Sequence, residues 1–393
     1  MSVTLRGMTW EHERGYGSVV AASAVYMAQH PDVVIEWEQR SLLAFGDQPL
    51  EELSPHYDFV VADHPHVPHA AAAGLLLALD GRGRDAELEE SARNSVGLSH
   101  ESYAYAGRQW GLATDAAGHV SAHRPDLLAD PPRDWNEVME LLRGGRVLWP
   151  LKPVDAFSSL VTLACTHGGR VLGRGAGEAP GPAHTGFGTR EHLELALDLL
   201  HRAVDLMPRE ALGLNPIGVA DALVDTDDFV YAPLLFGYTN YSREGYRRRR
   251  IAYRDAPRGL QGQAPVGLLA GAGIVVSSTT EHPDASVDFA LWLDSAQTQE
   301  GAYFDGGGQP GHAAAWDSPR TNAQSLDFFV GTRASLENAY LRPRHPAYPQ
   351  LQFDASMALH AALRGEMSDA ALLAELDRLA ERFEETVQEG SAA

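Results

Sequence analysis

The segment "FVVADHPHVPHA", residues 59–70, opens on an unbroken apolar run and closes on three histidines. Phe59 to Ala62 lack the apolar–polar alternation of a half-buried strand. The pattern therefore predicts a strand buried on both faces, as in a parallel sheet covered by helices. Ligands in open α/β sheets bind beyond the carboxyl ends of the strands, and His64, His66 and His69 stand at that end. His-x-His-x-x-His does not give the i, i+4 pair of a helical metal site, and Pro65 and Pro68 stiffen the segment. Metal ligation, catalysis and hydrogen bonding to loop backbone are the alternatives. The reading taken is that His64 and His66 rim a small-molecule pocket, with no metal and no cofactor.

Outward from this segment, strand-like runs alternate with helical patterns, the signature of a parallel α/β sheet. "SVTLRGMTW" and "VVIEWEQR" read as the first and second strands, with a helix in "GYGSVVAASAVYMAQHP" between them, ended by Pro31. "LLLALD" is a short apolar segment. "RQWGLATDAAGHVSAHRPDLL", residues 108–128, reads as a strand crossing between two lobes. "PPRDWNEVMELLRGG" is a helix with Asp134 as N-cap and Glu137 completing a capping box. "RVLWPLKP" reads as a buried strand and "VDAFSSLVTLACTHGG" as a helix. Residues 173–189 read as a surface loop, so "GRGAGEAPG" within them is no phosphate cradle. "REHLELALDLLHRAVDLM" is an amphipathic helix, "DDFVYAPLLFGYTNYSR" a strand leading into an aromatic loop, and Arg247–Arg250 a solvated basic run. "GLLAGAGIVVSS" returns as a strand, followed by a helix in "HPDASVDFALWLDSAQTQEGAYF", a glycine-rich turn at "DGGGQPGHAAAW", and helices from about residue 354.

The 393 residues suffice for two lobes, read as residues 1–112 plus 256–315 and residues 113–255 plus 316–393. A net charge of −22 argues against sequence-independent nucleic-acid binding and against docking on an anionic membrane. No run of 18 apolar residues is long enough to span a membrane. One cysteine, Cys165, excludes an internal disulfide and reads as a small buried hydrophobe. "MSVTLRGMTW" carries no secretion-signal pattern, so the expectation is a cytoplasmic protein, or a periplasmic or cell-surface one if a leader has been removed. Lys152 is the only lysine in the chain. A lysine kept where every other basic side chain is arginine marks a place for a compact ammonium rather than a guanidinium fork.

The order of these pieces resembles the family-1 extracellular solute-binding proteins, the receptors of ABC importers. The resemblance runs over nearly the whole chain and rests on "RQWGLATDAAGHVSAHRPDLL", "PPRDWNEVMEL", "GAGIVVSSTTEHPDASVDFALWLDSAQTQ", "GGGQPGH" and "RPRHPAY" in sequence. It implies an α/β, two-lobed periplasmic-binding-protein-like (type II) fold with a ligand cleft between lobes, hinge closure, and an ABC permease as partner if the protein is exported. The same fold has been recruited for cytoplasmic enzymes, including dehydratases and thiaminase-type transferases.

Strand ends supply the candidate ligand-binding residues. They are Trp10, Glu11, His12 and Arg14 after the first strand, Asp63, His64 and His66 after the third, and Lys152 after the first strand of the second lobe. Tyr238, Asn240 and Tyr241 follow the next. Gly271 and Gly273 allow close backbone approach, and Gln309 and His312 come from the glycine-rich turn. Trp10 is the stacking candidate, Tyr103 and Tyr105 rim residues or a plain turn, and Trp135 and Trp292 packing residues. Lys152, Arg14 and the histidines suggest a carboxylate or phosphate on the solute, with a neutral sugar as the open alternative. The rival reading is an enzyme, a dehydratase or isomerase of a small carboxylated metabolite, using Lys152, His64 and Glu11 in an enclosed site. No Ser-His-Asp order, P-loop or dinucleotide fingerprint supports a standard enzyme class.

Overall fold

Phe59–Ala62 forms the expected buried strand, and each of its residues packs on alternate faces. Phe59 and Val61 join Leu5, Ile274, Val276 and Phe289 on one side, while Val60 and Ala62 join Met8, Leu53 and Val275 on the other. Full burial of such a side chain is worth roughly 1.5–3 kcal/mol, so a strand covered twice is a strong anchor. The computed structural model describes residues 2–172 and 186–392. These divide into two units. The first comprises the chain up to Ala117, Ala270–Ala323 and Arg344–Pro346; the second comprises Gly118–Leu269, Gln324–Pro343 and the chain from Ala347 onward. The chain changes unit at 117/118, 269/270 and 323/324, and again at 343/344 and 346/347; the sequence reading had only three crossings, at 112/113, 255/256 and 315/316.

In the first unit, β1 (Val3–Trp10), β2 (Val33–Arg40), β3 (Phe59–Ala62), β4 (Gly111–His123) and, after the chain returns, β7 (Leu269–Val276) are ordered β2-β1-β3-β7-β4. β1 runs parallel to β2 and β3, but β7 pairs antiparallel with β3, with Ala62 opposite Gly273. The sheet is therefore mixed, not parallel as the alternation suggested. The strand that fills its centre arrives from the other unit and is not constrained by a local crossover. Helix α1 (Ser18–Gln29) lays Val19, Ala22 and Tyr26 on the first face, and α7 (Pro283–Asp294) adds Val287, Phe289, Ala290 and Leu293.

In the second unit, the continuation of β4 pairs antiparallel with β5 (Tyr231–Phe236) and β6 (Ala252–Arg254). Helix α4 (Pro153–Thr166) is buried from Asp155 to Thr166, as an apolar pattern on all sides requires, and packs on α5 (Arg190–Leu206) and α9 (Tyr348–Leu363). Cys165 lies buried on it. Asp134 caps α3 (Trp135–Arg143) by accepting from Asn136 N and Glu137 N, while Glu137 accepts from Arg133 N at 2.7 Å. Trp135 is fully buried beside Trp149, whose indole N–H donates to Ser159 at 3.0 Å.

Several local expectations are corrected. "RVLWPLKP" is buried and extended but only Val147 bridges to Tyr231, because Pro150 and Pro153 lack the N–H a ladder needs. The third strand stops at Ala62, not at His66; Pro65 and Pro68 start a 3-10 turn (His64–His66) and a helix (Val67–Ala72). The C-terminal helices begin at Tyr348, earlier than residue 354, with Pro349 in the first turn. The glycine-rich turn ends at His312, and Ala313–Asp317 is helical. The loop reading of residues 173–185, including "GRGAGEAPG", lies outside the described residues; of the stretch that follows, Gly188 bridges to Val171.

Gly271 shows how tightly β7 is seated. Its φ is +119°, and a Cβ there would stand 2.3 Å from the carbonyl oxygen of Asp115. Gly271→Ala is expected to lower stability by about 2–4 kcal/mol in denaturant unfolding, combining left-handed strain with a backbone clash. Gly213→Ala, where a Cβ meets nothing within 4 Å, is the control and should stay within about 0.5 kcal/mol of the parent.

Candidate ligand-binding site

Because β1 and β3 are parallel and β7 is antiparallel, the carboxyl ends of β1 and β3 and the start of β7 share one edge of the first unit's sheet. The chain turns there in a π-helical segment, Glu13–Gly17. His12 caps it by accepting the Arg14 N–H on Nδ1 at 3.0 Å. Arg14 is thereby placed to reach β4. Its Nε and one terminal nitrogen donate to the two carboxylate oxygens of Asp115 at 2.7 and 2.5 Å, a bidentate pair with both partners buried. Burial pushes the Asp115 carboxyl up, and the Arg14 charge pulls against it.

Gly271 admits the Asp115 backbone, and Gly273 faces the ring of Tyr103, where a Cβ would be 2.4 Å from Cζ. The Tyr103 hydroxyl donates to Ala62 O at 2.9 Å and its ring meets His64 edge-on at 6.3 Å. His64 is buried with Nδ1 3.3 Å from the Asp63 carboxylate. Gln309 is also buried; its amide donates to Ala116 O at 2.8 Å, tying the glycine-rich turn to β4.

Thus His12, Arg14, Asp63, Gly271 and Gln309 gather around Asp115 and its strand, and His64 and Gly273 flank Tyr103 at the same sheet edge. The three histidines diverge. His64 is buried, His66 half-buried, and His69 lies on the surface, bonded to Glu51 at 2.5 Å. Among the described residues no group of three His, Cys, Asp or Glu side chains converges as a metal site would. Trp10 is 4% exposed, stacked over Gly15 and 4.8 Å from the Phe45 ring, so its indole is held within the core. Glu11 is exposed. His312 belongs to a different neighbourhood, pairing with Ser95 and capping Ala313–Asp317. Tyr105 is half-buried, its carbonyl accepting the Trp110 indole N–H.

In the second unit Lys152 is exposed at the N-cap of α4, its carbonyl accepting from Asp155 N and Ala156 N at 2.9 Å. Burial pushes the Asp155 carboxyl up to about 7, with the Lys152 charge pulling it down. Tyr238 is half-buried, and Asn240 and Tyr241 are fully buried. The Tyr241 hydroxyl donates to Asp221 at 2.7 Å, and Arg247 lies over the Tyr246 ring at 4.5 Å.

Sequence reasoning missed Asp115 and Asp155. Each is an acid inside an otherwise apolar run, "GLATDAAG" and "PVDAFSSL", and a charge in such a setting demands a partner or a proton. Tyr103 was read only as rim or turn, although it braces the end of β3.

No family model matches the chain. Solved structures do. The maltose-bound MalE3 of T. maritima superposes with a TM-score of 0.78 at 15% identity, covering 97% of this chain and 100% of that one. The GacH receptor of Streptomyces glaucescens, solved unliganded and with acarbose, gives 0.78 at 14% identity over 97% and 99%. An ABC transporter solute-binding protein from Agrobacterium radiobacter K84 in complex with ribitol gives 0.78 at 19% identity over 97% and 98%.

Two substitutions test the site's electrostatics. Arg14→Met is expected to cost about 3–5 kcal/mol by leaving Asp115 buried without a counter-charge, and Arg14→Met with Asp115→Leu should recover much of it; urea unfolding measures both. Asp155 binds its proton more tightly folded than unfolded. Its contribution is therefore fully present below an unfolded pKa of about 4 and is lost as pH rises through about 7. Asp155→Asn should flatten stability against pH in that window, and an unchanged slope would remove Asp155 as its source. Near-complete superposition over both chains' lengths establishes that this protein has the α/β fold of the ABC-transporter solute-binding proteins.

Proposed function

We propose that this protein reversibly binds a small, polar, uncharged solute of the sugar or polyol class. The observation that carries the reading is the correspondence over nearly the whole chain with proteins solved with maltose, ribitol and acarbose. The chemistry of the first unit's sheet edge agrees with it. The guanidinium fork that a carboxylate or phosphate would seek is filled by the Asp115 carboxylate, which removes the main argument for an anionic solute. The groups around that pair, Asp63, His64 and Gln309, offer oriented polar atoms of the kind hydroxyl groups use. Lys152 is an exposed cation that can donate to a hydroxyl as well as to an anion. Turnover by Lys152, His64 and Glu11 is not part of this reading, since enclosure was the reason to consider it and both Lys152 and Glu11 are exposed. We infer further that the protein delivers its solute to an ABC permease, the role for which this fold is used in solute import.

Titration calorimetry and thermal shift against maltose, ribitol, tagatose and acarbose test the reading. At least one should raise the melting temperature and be recovered chemically unaltered. Lys152→Ala should then weaken binding at least about fivefold, about 1 kcal/mol or more, on the order of a lost charged hydrogen bond. A panel of sugars and polyols that leaves the melting temperature unmoved would refute the solute class, and a solute recovered changed would replace binding with catalysis.

A further inference from the structure

A cavity of about 290 Å³ lies within the first unit, lined by residues of α2 (Asp85–Asn94), of α7 and by His312. It shares no residue with the sheet edge described above, and it holds His312, which sequence reading had assigned to that edge. Its walls combine the apolar faces of Leu291 and Trp292 with carboxyl groups. Four of these, Glu87, Glu90, Asp288 and Asp294, line it together with one cation, Arg84. Arg84 is already occupied, donating to Glu87 at 2.9 Å and to Asp288.

Two buried side chains have hydrogen-bonding capacity that the protein does not use. Asp294 is 6% exposed, and Ser91 Oγ donates to its Oδ2. Among the described residues no donor meets Oδ1. Ser91 in turn lies 3.2 Å from His100 Nδ1, which burial holds neutral, so neither supplies a counter-charge. His312 is 7% exposed, and its Nδ1 accepts from Ala314 N at 3.1 Å. The neutral ring therefore carries its proton on Nε2, which has no acceptor among the described residues. A carboxylate oxygen and an imidazole N–H, each on a side chain otherwise buried, both open into one cavity, where water or a ligand completes them.

We propose that this cavity is a second binding site, for a small protonated amine that also carries a hydroxyl or ether oxygen. The ammonium donates to Asp294 Oδ1 and is held by the negative excess at Glu90. Its carbon chain lies against Leu291 and Trp292, and its oxygen accepts from His312 Nε2. The volume fits a molecule smaller than the usual drug-sized ligand. The proposal does not depend on the solute reading, and its test uses no sugar.

The pH dependence has a definite sign. Burial pushes the empty site's Asp294 carboxyl up to about 7. An ammonium binds its ionised form, so a proton competes with the ligand. Ser91 is the group bonded to Asp294, with His100 behind it, and the other titratable or charged groups lining the cavity are Arg84, Glu87 and Glu90 from the α2 side, Asp288 on its own helix, and His312. Burial lowers both imidazoles, His100 to about 4, while the Glu90 charge pulls His312 the other way. Affinity should therefore fall about tenfold from about pH 8 to about pH 6.

The probe is 3-aminopropan-1-ol, with 1,3-propanediol as its uncharged counterpart, titrated by calorimetry into the full chain. Binding of the amine, at least tenfold tighter than the diol and weakening toward acid pH, is the expected result. Asp294→Asn should abolish it and its pH dependence, with circular dichroism confirming the fold. Glu90→Gln, an exposed change that cannot empty the core, should weaken it two- to fourfold should Asp294→Asn not fold. No heat of binding at about 50 mM amine, equal affinity for the diol, or a flat profile from about pH 6 to 8 would overturn the proposal.

Discussion

The Arg14–Asp115 pair is the constraint around which the first unit is arranged. Both charges are removed from water, and only their mutual geometry repays that desolvation. The pair also joins parts of the chain that local structure would leave apart, a π-helical turn after β1 and the middle of β4, 101 residues later. Neighbouring backbone is packed to match. Gly271 and Gly311 pass so close to Asp115 and Ala113 that a methyl group would overlap their carbonyl oxygens, and Gln309 closes the same strand from the side through Ala116. Loosening any of these admits water to a charge that the fold has paid to bury.

What could be read from the sequence follows from how far each signal reaches. β1, β2, α4, α5 and α7 announce themselves through the hydropathy of their own residues, and α3 through its Asp134 cap. The third strand was visible because four consecutive apolar residues need cover on two faces. Its end was not, because Pro65 and Pro68 act through helix initiation rather than through hydropathy. The orientation of β7 was out of reach for a different reason, since a strand that returns after an excursion of some 150 residues carries no local mark of direction. "RVLWPLKP" misled because hydropathy reports burial and not hydrogen bonding. Val147 to Leu151 are buried as the pattern says, yet prolines deny them a ladder.

The site was legible by class and not by role. Strand-end logic found the edge where His12, Arg14, Asp63, His64 and Gln309 meet, because the carboxyl end of a buried strand is fixed by topology. It could not say which of these side chains face one another. Arg14 looked like an anion receptor until its partner was known, and that partner sits in an unremarked strand. Trp10 looked like a stacking platform because it ends a strand, but Gly15 and Phe45 close over it. The singular Lys152 shows the same limit. Its backbone opens α4 and its ammonium lies near the buried Asp155, so position in the fold and charge on the surface are two separate reasons for the residue to stand there.

A solute-binding fold must hold its polar groups in place before the ligand comes, since groups that must be ordered on binding subtract from affinity. The first unit's sheet edge meets this requirement by internal pairing. Arg14 is aligned by Asp115 and by the His12 cap, His64 by Asp63 and Tyr103, and Gln309 by β4. The edge is preorganised, and its electrostatics are largely settled within the protein, which suits hydroxyl groups better than ions. The cavity between α2 and α7 has the opposite character. Its carboxyl at Asp294 and imidazole at His312 are ordered by one bond each and open to the cavity at the other atom. Preorganised neutral polarity at one place and unmet charge at another are different invitations, and the same unit carries both.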